Sequence, residues 1–181
     1  TNQALGSSGA TVAAEGLNAA ATMKDVGGDT QHLLEATATS GASGGDTGVA
    51  GSFALNVSST LTEAALEPAS TVDAGTGPVS LTTVNTSESV VEGKASADSG
   101  NTGVGVSFAI HVADNQTLSE IRDGSTLSGG SDLTLSATGS HDTTTTAASG
   151  GKSKDGTGVG GSFAITVADN VTEAGVGTGT A

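Results

Sequence analysis

TGVAGSFALNV at 47–57, TGVGVSFAIHV at 102–112 and TGVGGSFAITV at 157–167 are one motif written three times. The phenylalanines at their centres, Phe53, Phe108 and Phe163, are spaced by 55 residues, and the chain has no Trp or Tyr. A second column keeps the same phase through Leu66, Ile121 and Val176, and Leu5 precedes Leu66 by 61, which implies a short insertion in the first unit. Self-similarity at a fixed period marks a repeat architecture, in which each unit completes its core only against its neighbours. The units fall at 1–52 (partial), 53–107, 108–162 and 163–181 (partial). Because ALGSSGA at 4–10 matches GVGTGTA at 175–181, the chain begins and ends at nearly the same phase. That, with Thr1 in place of Met, leads us to expect one continuous solenoid cut from a longer array.

Within a unit the periodicity is that of strands. Phe163, Ile165 and Val167 alternate with Ala164 and Thr166, giving an apolar face and a small or polar face at period two. The expected core is therefore Phe53, Leu55, Val57, Phe108, Ile110, Val112, Phe163, Ile165 and Val167. On that phase His111 points outward with Asn56 and Thr166. DLTLSA at 132–137 and PVSLTT at 78–83 alternate in the same way. Gly, Ser, Asp and Asn clusters such as DGS at 123–125, SGGSD at 128–132 and SGGKSKDG at 149–156 read as tight turns between short strands. The best helix candidate, 54–67, is undercut by its copies, which carry Asp-Asn or Gly there. A unit of 55 residues is too short for a β-sandwich and suits two coils of a β-solenoid, each rising about 4.8 Å. The expected fold is an all-β parallel β-helix with about two coils per repeat.

Composition bounds the partners. Large side chains are scarce, with 29 Gly and 34% hydrophobic residues, and the net charge is -14. Such a chain could remain disordered, but the regular grid of large apolar residues argues for folding. Five basic residues against nineteen acidic ones would repel phosphate backbones and anionic membranes, so neither nucleic acid nor membrane insertion is expected. There are no cysteines, hence no disulfides and no thiolate metal sites.

DGSTLSGGSDLTLSATGS at 123–140, followed by TTTTAASGG at 143–151 and GTGVGGSFAITVADN at 156–170, resembles the repeats of giant secreted bacterial surface proteins, similar to filamentous-haemagglutinin and autotransporter-type adhesins. The resemblance covers nearly the whole chain. It implies a right-handed parallel β-helix at the cell surface or outside the cell, serving as stalk, adhesin or matrix fibre. The implied partners are further copies of the repeat, self-association into fibres, and glycan or cell-surface ligands.

Chemical readings are few, and neither a catalytic residue nor a cofactor is expected. Polysaccharide lyases and hydrolases use β-helix scaffolds, but their sites need clustered carboxylates, often with Arg, Lys or calcium. Here Arg122 is the only arginine, and the acidic residues recur with the repeat, as in Asp46 and Asp155 before the motif Thr, which fits turns better than a unique site. The pairs Asp114-Asn115 and Asp169-Asn170 are the calcium candidates, although Asp and Asn there read in the first place as side-chain-capped turns. A glycan- or calcium-binding module and a polysaccharide-acting enzyme thus stand as alternatives to a structural role. His32, His111 and His141 lack partner ligands at metal spacing.

Overall fold

The computed structural model describes residues 1–178. Among them run eleven strands and no helix: β1 (Asn2–Gly6), β2 (Thr11–Ala13), β3 (Leu17–Ala21), β4 (His32–Ser43), β5 (Thr47–Leu66), β6 (Thr71–Asp73), β7 (Val79–Ser99), β8 (Thr102–Ile121), β9 (Thr126–Ser128), β10 (Leu133–Ser153) and β11 (Thr157–Val176). Pairing is parallel throughout these strands and builds three sheets. The first has the order β1-β5-β8-β11; the second has β10-β7-β3, with β4 also on β7; the third is the short β2-β6-β9. One turn of the coil is thus a long strand, a three-residue strand and a second long strand, and the whole is a parallel β-solenoid.

The register corrects the expected coil count. Phe53 pairs with Phe108 and Phe108 with Phe163, and Leu66, Ile121 and Val176 pair likewise. One 55-residue unit therefore makes one coil, not two. The strands were expected to be short because Asp-Asn was read as a turn, yet β8 and β11 run straight through it. The pair fits a strand because its two side chains take opposite faces. Asn115 and Asn170 point inward and stack: Thr60 Oγ1 donates to Asn115 Oδ1 at 2.6 Å, and Asn115 Nδ2 donates to Asn170 Oδ1 at 2.8 Å. Such amide ladders satisfy polar groups from rung to rung.

In the first unit the match of Leu5 to Leu66 is off by one, since Gly6 pairs with Leu66 and Leu5 with Ala65. A side chain at Gly6 would lie 2.9 Å from Leu66 Cδ2, so Leu66 fills that place. Of the proposed match of 4–10 to 175–181, residues 179–181 lie outside the described residues. The insertion is real: Ala21 pairs with Thr83 and His32 with Ser87, so 22–31 replaces 84–86.

The larger correction concerns which face is buried. Phe53, Leu55, Val57, Phe108, Val112, Phe163, Ile165 and Val167 are exposed, and Ile110 is half-buried. Even in the middle rung, flanked on both sides, Phe108 is 37% exposed. Ala54, Ala109 and Ala113 point inward instead, and His111, expected outside, is fully buried. The reason is steric. The two long sheets approach so closely that a Cβ at Gly103 would sit 2.5 Å from the Lys152 carbonyl oxygen, and one at Gly105 2.5 Å from that of Gly150. Serine hydroxyls bridge the gap: Ser107 Oγ donates to the Gly93 carbonyl and Ser119 Oγ to the Leu81 carbonyl, each at 2.7 Å. A phenyl ring does not fit where one hydroxyl spans from sheet to sheet.

The cross-section is a taper that the inward residues of β8 spell out. Ile121 lies at the wide end, beside the three-residue strands; Ser119, Thr117, Asn115, Ala113 and His111 follow; Ala109, Ser107, Gly105 and Gly103 close the narrow end. At the wide end Leu66, Val72, Val79, Leu81 and Ile121 form the main hydrophobic cluster. Two smaller, alanine-rich clusters lie further along, one around Ala54, Val91 and Ala109 and one around Ala50, Ala95 and Ala97. Val79 and Leu81, half of the PVSLTT alternation, are buried as that alternation predicts.

Candidate functional surfaces

Three features of the coil could carry function. The first is the outer face of the first sheet. Because side chains there repeat in register, they form columns: Val49, Val104 and Val159; Gly51, Val106 and Gly161; the three Phe; Leu55, Ile110 and Ile165; Val57, Val112 and Val167. The rings of Phe108 and Phe163 stack with centroids 5.3 Å apart and an interplanar angle of 9°. Offset stacking of this kind adds about 0.5–1.5 kcal/mol beyond area burial. The outer face of the second sheet is more polar, with Thr82, Thr86, Glu88, Glu92 and Lys94 along β7 beside Val84 and Val90.

The second feature is the polar middle of the interior. His141 Nδ1 lies 2.7 Å from Ser87 Oγ, and its Nε2 has no hydrogen-bond partner. Neither ring nitrogen of His111 is partnered, nor are Asn56 Nδ2 and Asn85 Oδ1. Burial lowers the pKa of both His111 and His141, since the charged imidazolium loses its hydration. Burial thus favours the neutral form of both rings.

The third is a charge node at the wide corner. Arg122 donates to Glu67 Oε1 at 2.6 Å, to Glu120 Oε2 at 3.3 Å and to Glu63 Oε1, while Gln3 Nε2 donates to the other oxygen of Glu63 at 2.9 Å. Glu63 is almost wholly buried beneath these groups. Partial burial lowers the Arg122 pKa, but the contacts with Glu67, Glu63 and Glu120 outweigh it and the net shift is upward. The three carboxylates are thus committed to one guanidinium. Sequence reading missed this node, although the 55-residue register that sets Glu67 beside Arg122 was the signal for it.

The calcium candidates do not converge. Asp114 and Asp169 stack on the outer face, with Gln116 Nε2 donating to Asp114 Oδ1 at 3.2 Å, whereas Asn115 and Asn170 are inside. Among the described residues no three His, Asp or Glu side chains gather around a common point as metal ligands. His32 pairs with Ser87, which also pairs with His141, so the two histidines share an inward row on either side of that serine. No protein-family model matches the chain, and no curated protein or solved structure shows significant similarity to it.

Proposed function

We propose that the chain is a structural and adhesive repeat segment of a large extracellular bacterial surface or matrix fibre protein. The observation that carries this reading is the invariance of the rung. Thr47, Thr102 and Thr157, the phenylalanines and the Leu66 column each superpose on their copies at one register, so a further repeat would extend the coil without altering its cross-section. Such a coil is a spacer whose length scales with repeat number, and it offers the same outer columns at every level. The excess of acidic residues keeps a long exposed surface soluble and averse to anionic partners. Antibodies raised against this chain and applied to intact source cells test the proposal. Immunogold label on extended surface material before permeabilisation is the expected result, and label only after permeabilisation would overturn it.

A further inference from the structure

The apolar columns on the outside of the first sheet ask for a partner. Val106, Phe108 and Val112 are 36–37% exposed although β5 and β11 flank them on both sides, so the exposure belongs to every rung and not to the edge of the stack. The largest exposed apolar patch on a monomer is about 300–600 Å² and is often functional. Five columns along the strand and three rungs across it span roughly 30 Å by 14 Å, or about 430 Å².

We propose that this face binds the same face of a second copy of the chain, about a two-fold axis parallel to the solenoid axis, with the Phe column at its centre. The order of the columns is what points to a copy. Counting outward from Phe, the columns are Gly or Val and then Val on one side, and Leu or Ile and then Val on the other. The two-fold operation sets Leu55 over the partner's Gly51 and Ile165 over the partner's Gly161, a large group into the place of a missing one, and in the middle rung it sets Ile110 against the partner's Val106. It also sets Val on Val and Phe on Phe. The next column on the C-terminal side, Ser59, Asp114 and Asp169, falls over Thr47, Thr102 and Thr157 of the copy instead of over its own carboxylates. A surface that meets itself without opposing like charges is what an isologous interface requires.

The area sets the strength. A standard interface buries about 800 Å² per partner, so three rungs give a weak dimer and about six would reach that size. The pairing shares only the repeat architecture with the proposed function. Copies that pair but never reach a cell surface would sustain this inference and overturn the other.

Sedimentation velocity of the 181-residue chain from about 10 µM to about 1 mM tests the pairing, with reversible dimer growing over that range. Phe108→Asp, which buries a charge at the centre, should raise the dissociation constant at least about tenfold. The chain has no cysteine, so single cysteines report the geometry. With a thiol-specific crosslinker of about 8 Å reach, Phe108→Cys should link to itself. Val112→Cys should not, since its copies lie about 27 Å apart, but should link when mixed with Val104→Cys. A monomer throughout the range, or Val112→Cys linking to itself as readily as Phe108→Cys, would overturn the proposal. So would adsorption to neutral phosphatidylcholine vesicles by a chain that does not dimerise, which would assign the face to lipid.

Discussion

Truncating Phe108 and enlarging Ala109, its neighbour in sequence, should have opposite consequences to those a buried Phe would give. Phe108 is 37% exposed, so about three fifths of the transfer energy of a fully buried aromatic, roughly 1–2 kcal/mol, is at stake in Phe108→Ala. Loss of the stack on Phe163, at 5.3 Å, adds roughly 0.5 kcal/mol. No cavity term follows, because the vacated space opens to solvent, and the total is about 1.5–2.5 kcal/mol. Ala109 is fully buried in the gap between the sheets, among Ala54 and Val91. Three added carbons at Ala109→Leu have to push the sheets apart, at a cost of about 3 kcal/mol or more. With the Phe face inside, the order would reverse: Phe108→Ala would cost about 3–5 kcal/mol through its cavity, and Ala109→Leu, on the surface, almost nothing. Urea unfolding followed by circular dichroism gives both values. An Ala109→Leu variant more stable than Phe108→Ala would refute the assignment of faces.

Three further outcomes follow from the same geometry. Gly103→Val places a branched side chain against the Lys152 carbonyl, 2.5 Å from the first added carbon, and should lower the urea midpoint more than Gly161→Val, whose Cβ meets nothing within 4 Å and whose register partner is already Val106. Ala69 holds a φ of 62° at the turn where its register partners in the adjacent rungs are Gly9 and Gly124, so Ala69→Gly should raise stability by about 1 kcal/mol in the same assay. Burial favours the neutral form of His111, with its folded pKa below the unfolded value. Stability is then full above about pH 6.5 and falls as the pH drops through the folded pKa, because only the unfolded chain takes up the proton. His111→Thr, the residue that Thr166 already supplies in the next rung, should flatten the melting temperature between pH 7 and pH 5 relative to the parent chain.

Much of the fold was legible in the sequence. The 55-residue spacing of the phenylalanines is the coil period itself, and the match of Leu66, Ile121 and Val176 is a true rung-to-rung contact. Alternation at Val79 and Leu81 located core positions correctly because the wide end has room for branched side chains. The same rule failed at Phe-x-Ile-x-Val. Period two says that a strand has two faces and not which one is inside, and the default of burying the larger residues decided wrongly. The signal against it was the glycine at every second position of TGVGV and TGVGG, which leaves one face with no side-chain volume and so marks it as the close-packed one. The coil count failed because Asp-Asn was read by its turn propensity. Stacked copies override that propensity, since each Asn finds its partner in the next rung. The histidine row beside Ser87 depends on which residues face each other across coils, which local periodicity does not carry, whereas the 55-residue register already sets Glu67 beside Arg122.

The central claim, one coil per repeat with the apolar columns outside, is tested most directly by nitroxide labels at Val57→Cys and Val112→Cys in the otherwise cysteine-free chain. These positions pair in register on the outer face, which puts their Cα atoms about 4.8 Å apart. Labelling should proceed on the folded protein, and the paramagnetic resonance spectrum should collapse toward a single spin-exchanged line. Two separated, dipolar-coupled spins at about 10 Å would mean two coils per repeat. Cysteines that react only after unfolding would mean that the face is buried.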